Sequence, residues 1–219
     1  MDGNGRWANK KLLPRLVGHN KGLDSVKKVI EYSIKYKINT LTLYAFSTEN
    51  WKRPTKEVDG LLQLFSQTIS SESKKIQNNN IKLKFLGNIS TFSKTLQNKI
   101  KNIEDKTFKN KSLTLNIALN YGGRLDIVNA VNNFFLEKKN KTKKITENDI
   151  SKGLYTRGQS DVDLLIRTGG EKRISNFLIW QMAYAELYFS KKLWPDFDEK
   201  VFVDALYFYQ NIERKFGSI

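Results

Sequence analysis

The sequence predicts an α/β domain: a mostly parallel central sheet flanked by helices. Two observations carry that expectation. Short β-rich apolar runs alternate with longer segments of helical periodicity, the pattern of βαβ units. The segments rich in glycine, arginine, amides and hydroxyls also fall directly after three of the strands, where parallel α/β sheets bind ligands. With 219 residues, only three prolines and no Gly/Pro/Ser-rich linker, the chain reads as one domain over residues 1–219.

Taken in order, Leu23, Val26, Ile30 and Ile34 share one helical face. Ile38 to Phe46 is a mostly apolar strand, and Val58, Leu61, Leu62, Phe65 and Ile69 mark the helix after it. That stripe fits either core or the wall of an apolar channel. Ile81 to Leu86 alternates Ile81, Leu83 and Phe85 with Lys82 and Lys84 as a second strand. Leu96, Ile100 and Ile103 form the next helical face, Ser112 to Leu119 the third strand, and Leu125, Val128, Val131 and Phe135 a further helical stripe. Glu137 to Lys144 is lysine-rich and predicts a solvated loop; Thr146 with Asp149 predicts a capping box opening a short helix. Val162 to Ile166 is the fourth strand, followed by the apolar run Phe177 to Ala185.

Composition narrows the function. There is no cysteine, which excludes disulfides, thiolate metal sites and a cysteine nucleophile. A single histidine, His19, excludes multi-histidine metal centres. No apolar run approaches the roughly 20 residues of a membrane span and no signal-peptide pattern opens the chain, so a cytoplasmic protein is expected. The net charge of +16 points to polyanions, with nucleic acid, anionic membrane and phosphorylated substrates as candidates. The excess is mostly lysine; the eight arginines are more informative, because their planar fork grips phosphate in a bidentate manner. Six of them, Arg6, Arg15, Arg53, Arg124, Arg167 and Arg173, fall in or beside the motif segments. No recognition-helix, RNA-binding or zinc motif accompanies the charge, so nucleic acid is not expected as a partner.

Three motif blocks stand out. Asp2-Gly3-Asn4-Gly5-Arg6-Trp7 combines glycines that admit a ligand to the backbone, an arginine fork, and a carboxylate suited to magnesium beside a diphosphate. The same Asn-Gly also reads as a tight turn. Ser47-Thr48-Glu49-Asn50-Trp51-Lys52-Arg53-Pro54 follows the first strand. Arg167-Thr168-Gly169-Gly170-Glu171-Lys172-Arg173-Ile174-Ser175 follows the fourth, and predicts a phosphate site at the start of a helix, with Ser175 or Asn176 as an alternative plain cap.

Together, Asp2–Ala8, Tyr44–Pro54, Asn116–Asp126, Asp163–Asn176 and Trp180–Phe197 resemble the cis-prenyltransferases of the bacterial undecaprenyl diphosphate synthase (isoprenyl transferase) type, over nearly the whole chain and in order. The resemblance implies an apolar tunnel in the fold, a homodimer, and magnesium-dependent addition of isopentenyl diphosphate to farnesyl diphosphate. The product would be a long polyprenyl diphosphate, undecaprenyl by this likeness, for the cell-wall lipid carrier, and a basic surface would dock on anionic membrane. It implies that Asp2 holds magnesium with Glu186, and that Gly3, Asn4, Gly5, Arg6, Arg15 and His19 bind the allylic diphosphate with Trp7 beside it. Ser47, Thr48, Glu49, Trp51 and Arg53 would line the site, and Arg167, Arg173, Ile174 and Ser175 would grip isopentenyl diphosphate. Asn50 holds the family's proton-acceptor position; a neutral amide is a poor base, so water or a phosphate oxygen that it positions is the alternative. Two departures stand out. The family has an apolar strand before the Asp-Gly-Asn-Gly block, whereas Met1 directly precedes Asp2 here, and Lys172 stands where many relatives have histidine. The rival readings are a catalytically silent partner subunit and a basic nucleic-acid-binding protein.

Overall fold

The computed structural model describes residues 1–136 and 144–213. Its elements are α1 (Asn4–Lys10), α2 (Arg15–Lys35), β1 (Thr40–Ser47), a 3-10 turn (Thr48–Lys52), α3 (Thr55–Asn78), β2 (Ile81–Leu86), α4 (Lys94–Thr107), β3 (Leu113–Tyr121), α5 (Gly123–Leu136), α6 (Glu147–Gly153), β4 (Leu164–Arg167), β5 (Glu186–Phe189) and α7 (Glu199–Gln210). The predicted strands all form, with ends displaced by one or two residues. The capping box of α6 forms as well: Asp149 N–H donates to Thr146 Oγ1, and Thr146 N–H to the Asp149 carboxylate. The lysine-rich stretch lies outside the described residues, except for Lys144.

All strand pairing is parallel, as expected, but it is divided between two sheets, ordered β1-β3-β2 and β4-β5. Side chains join them. Tyr44 of β1 stacks on Phe177 at 4.5 Å, and Ile166 and Tyr188 pack into the same apolar cluster as Leu43 and Leu115. Central strand β3 is buried on both faces, as a strand flanked on either side and covered above and below must be. The free edge of β2 is closed by α4, where Thr107 Oγ1 and Glu104 Oε1 accept the Leu83 and Phe85 N–H groups. Such side-chain cover stops an edge strand from recruiting another chain.

Three local expectations are corrected. Phe177–Ala185 forms turns and no helix, because Ser175, Asn176 and Leu178 all take left-handed backbone conformations that interrupt helical winding. The Asp2–Trp7 block forms no hairpin turn; from Asn4 on it is the first turn of α1. On α5 the apolar stripe faces outward, with Val128 52% exposed, while Asp126 and Ala130 are buried. Asp126 is held there by Tyr121 Oη, Gln181 Nε2 and the Tyr155 N–H, so hydrogen bonding decides which face goes inward.

The α3 stripe divides between its two expected roles. Val58 and Leu61 pack with Phe46, Leu96 and Leu119 in a dense core. Phe65 and Ile69 pack against the same cluster and also line an apolar cavity of about 220 Å³ between α2, α3 and the β1-β3-β2 sheet. Two ion pairs, Lys27–Glu72 at 2.8 Å and Lys75–Glu31 at 2.9 Å, join α2 to α3 beside it.

Candidate active site

The carboxyl ends of β1, β3 and β4 converge with the start of α1, as the motif positions predict. Asp2 is anchored through its backbone: its N–H donates to Thr168 Oγ1 (2.9 Å), and its carbonyl accepts Thr168 Oγ1–H (2.8 Å) and Trp194 N–H (3.0 Å). Its carboxylate lies between two guanidiniums, with Oδ1 3.2 Å from Arg6 and Oδ2 3.0 Å from Arg167. Burial would raise the Asp2 carboxyl, but the hydrogen bonds and charges of Arg167 and Arg6 outweigh it and hold the group below the usual carboxylate range. Two glycines make this approach possible. Gly3 has φ +114°, and a Cβ there would meet Leu193 at 2.9 Å; Gly169 has φ +90°, and a Cβ there would lie 2.3 Å from the Arg6 guanidinium.

Arg167 reaches further along its own loop. Nη1 donates to Ser175 Oγ (2.8 Å) and to the Arg173 carbonyl. Arg6 Nη1 donates to the Gly169 carbonyl at 2.8 Å, and Arg173 pairs with Glu171. Ile174 packs into the apolar cluster around Tyr121 and Phe177. Trp7 is buried behind the block, with its indole N–H on Asp196.

A second cationic group adjoins the first, since Gly5 of α1 lies against the Arg15 guanidinium. Arg15, His19 and Arg53 all converge on Glu57, at 3.2, 3.8 and 3.0 Å. Burial, reinforced by the Arg53 charge and opposed by Glu57, pushes the His19 imidazole down to about 4, so it is neutral near pH 7. Three buried polar atoms in these two groups have no hydrogen-bond partner: Asn4 Oδ1, His19 Nε2 and Arg167 Nε. Buried polar atoms are ordinarily satisfied, so orphans in both groups are what sites for an absent polar ligand would leave.

Between the groups, Asn50 Oδ1 accepts the Ser47 N–H at 3.1 Å, so the amide oxygen serves the turn that carries it. Thr48 and Glu49 lie beside it, with Thr48 Oγ1 3.2 Å from Glu49 Oε2. Trp51, 40% exposed, rests on Phe46 and Phe92.

Glu186, expected to hold magnesium with Asp2, stands at the start of β5. It pairs with Leu164, three residues or about 10 Å of strand before the Arg167–Phe189 pair. Among the described residues no three acidic or histidine side chains cluster as a metal site. Sequence reasoning missed Thr168, which fixes Asp2, and Glu57, which gathers Arg15, Arg53 and the neutral His19. The usable signal for Glu57 was its spacing four residues after Arg53, one helical turn.

The comparisons agree with this geometry. The family model described as "Putative undecaprenyl diphosphate synthase" matches residues 1–217. The ditrans,polycis-undecaprenyl-diphosphate synthase ((2E,6E)-farnesyl-diphosphate specific) of Pasteurella multocida is 52% identical over 99% of this chain and 92% of its own length. Among solved structures, lavandulyl diphosphate synthase from Lavandula x intermedia, in complex with dimethylallyl diphosphate, superposes with a TM-score of 0.94 at 33% identity, covering 100% of this chain and 95% of that one. A probable undecaprenyl diphosphate synthase from Campylobacter jejuni gives 0.82 at 36% identity, covering 91% and 93%. Fold, site and relatives define a cis-prenyltransferase, which sets aside the silent-subunit and nucleic-acid readings. The chain belongs to the undecaprenyl diphosphate synthase family.

Proposed function

We propose that this chain extends farnesyl diphosphate with successive isopentenyl diphosphate units to a long polyprenyl diphosphate, undecaprenyl by kinship, which supplies the cell-wall lipid carrier. The observation that carries this reading is the position of the Asp2–Arg6–Arg167 group beside the apolar cavity. Met1 and Leu119 line the cavity, and their next residues in the chain, Asp2 and Asn120, belong to the rim. A diphosphate head on the rim therefore directs its tail into the cavity, the proposed start of the product tunnel.

In each cycle the allylic C1–O bond breaks, isopentenyl C4 bonds to C1, and a C2 proton leaves to give the cis double bond. Arg6, Arg15 and neutral His19 hold the departing diphosphate, with Gly3, Asn4, Gly5 and Trp7 shaping its cradle. Arg167, Arg173, Ile174 and Ser175 hold isopentenyl diphosphate. Ser47, Thr48, Glu49, Trp51 and Arg53 enclose the reacting carbons. Because its oxygen already serves the turn, Asn50 acts by positioning the phosphate oxygen or water that takes the proton.

Asp2, a carboxylate kept ionised by Arg6 and Arg167, would hold a magnesium ion as a hard oxygen ligand. Magnesium would neutralise charge on the leaving diphosphate. Glu186 is the other proposed metal ligand, placed on β5 opposite Leu164. The outward apolar stripe of α5 (Leu125, Val128, Phe135) supports a homodimer. No described helix is long and apolar enough to cross a membrane, and the basic surface supports peripheral contact with anionic lipid. The test is incorporation of labelled isopentenyl diphosphate into butanol-extractable product primed by farnesyl diphosphate, with magnesium or with EDTA. Magnesium-dependent polyprenyl product is expected; incorporation that EDTA leaves unchanged would contradict the metal assignment.

A further inference from the structure

We propose that Asn120 and Asn176 are positioning residues: from two sides they hold the Thr48–Lys52 turn that carries Glu49, Asn50 and Trp51. The inference rests on the proposed reading of this site as the elongation site. A five-residue 3-10 turn has little stability of its own, since short helical segments gain few bonds for the dihedrals they fix. Its local bonds close the turn on itself: a capping box in which Asn50 N–H donates to the Ser47 side chain and Ser47 N–H to Asn50 Oδ1, Thr48 Oγ1 to Glu49, and Arg53 N–H to the Asn50 carbonyl. Those bonds shape the turn but do not tie it to its surroundings; beside the packing of Trp51 on Phe46 and Phe92, two side-chain hydrogen bonds do. Trp51 Nε1–H donates to Asn120 Oδ1 at 2.8 Å, and Asn176 Nδ2–H donates to Glu49 Oε1 at 2.8 Å.

Both asparagines are tied down elsewhere. Asn120 sits where the β1–β3 register shifts, with φ +50°, and its Nδ2 donates to the Asn88 carbonyl (2.8 Å) and to Thr91 Oγ1 (3.0 Å). Asn176, with φ +61°, accepts the first N–H groups of α5: Gly123 N–H on its carbonyl (2.7 Å) and Arg124 N–H on Oδ1 (2.9 Å). Each residue thus joins the turn to rigid structure, Asn120 to the β2–α4 connection and Asn176 to the start of α5. Asparagine suits both places, because it tolerates left-handed backbone and offers a donor and an acceptor on one short side chain. Neither residue carries charge toward the diphosphates, so their effect runs through Glu49, Asn50 and Trp51.

Asn120→Gly tests this cleanly, because glycine keeps the left-handed backbone and removes only the side-chain bonds. For Asn176 the informative change is Asn176→Asp, which keeps an acceptor for Arg124 N–H and puts a carboxylate against Glu49. Steady-state kinetics with farnesyl and isopentenyl diphosphates is the first readout. The second, independent of turnover, is acrylamide quenching of Trp51 emission, isolated by subtraction against Trp51→Phe. Positioning predicts that both variants lose at least tenfold in kcat, with KM for isopentenyl diphosphate within threefold and a thermal midpoint within a few degrees of wild type. It also predicts faster quenching of Trp51 in Asn120→Gly. Wild-type kcat in either variant, unchanged Trp51 quenching in Asn120→Gly, or loss that tracks the unfolded fraction would overturn the proposal. An inactive wild-type enzyme would instead refute the elongation reading, while the quenching arm would still decide whether Asn120 holds Trp51.

Discussion

The polar rim and the apolar cavity adjoin each other, yet they are built by opposite means. At the rim the carboxylates are held by directional partners: Asp2 between Arg6 and Arg167, Glu57 between Arg15 and Arg53 with His19 beside it. Two glycines there are fixed by backbone angle and by the space a Cβ would need. The cavity is lined by interchangeable aliphatic and aromatic groups such as Ile30, Phe65, Ile69 and Ile117, which exclude water without fixing a geometry. The contrast teaches where each property of the enzyme resides. Under the proposed function, chemistry would depend on directional contacts and tolerate little change, whereas product length would depend on volume and tolerate substitution.

The largest break in this comparison is expected from Asp2→Ala. It leaves Arg6 and Arg167 facing each other without the intervening anion and removes the proposed metal ligand. Turnover should fall by roughly 10²–10³ or more, with an unchanged circular dichroism spectrum. Near-normal incorporation would remove Asp2 from the mechanism. Arg167→Lys keeps the charge but not the fork that reaches Asp2, Ser175 and the Arg173 carbonyl together. A fall of roughly ten- to a hundredfold in kcat/KM is expected, read by titrating isopentenyl diphosphate.

His19 sharpens the comparison through pH. Its folded pKa of about 4 lies below the ordinary 6.5, so the unfolded chain binds the proton first as pH falls. The stability contributed by neutral His19 is complete above pH 6.5 and is lost as pH falls toward 4, by about 3 kcal/mol at most. Chemical denaturation across that window should show His19→Gln with a shallower acid slope than wild type; parallel slopes would count against a buried neutral imidazole. The smallest effect belongs to the ion pairs beside the cavity. Lys27→Met should change stability by no more than about 1 kcal/mol, because Lys27 and Glu72 are both partly solvated.

The rim was far more legible in the sequence than the cavity, for a physical reason. Two arginines and a Gly-Gly pair after a strand exceed what a plain cap needs, so Arg167–Ser175 was specific, whereas Asp2–Trp7 read equally as a tight turn until the resemblance was added. Apolar periodicity carries no such information: Val58 and Ile69 belong to one stripe, yet only Ile69 lines the cavity as well as packing against the core. The helix expected after Ser175 failed because left-handed angles at Ser175, Asn176 and Leu178 are set by tertiary contacts, Asn176 with Glu49 and α5 among them. The α5 stripe looked like core because periodicity reports an amphipathic face and not its partner. Strand positions were readable; division of the strands into two sheets was not, since pairing across Tyr44, Phe177 and Ile166 is a matter of three-dimensional packing.

The central claim is that the rim performs the chemistry while the cavity measures the product. Chromatographic chain length of the polyprenyl products made by Ile69→Trp, compared with wild type at matched early conversion, tests it most directly. The account predicts a product distribution shifted to shorter chains with an initial rate of isopentenyl incorporation within about threefold of wild type. Unchanged chain length, or a loss of rate comparable to that of Asp2→Ala, would contradict it.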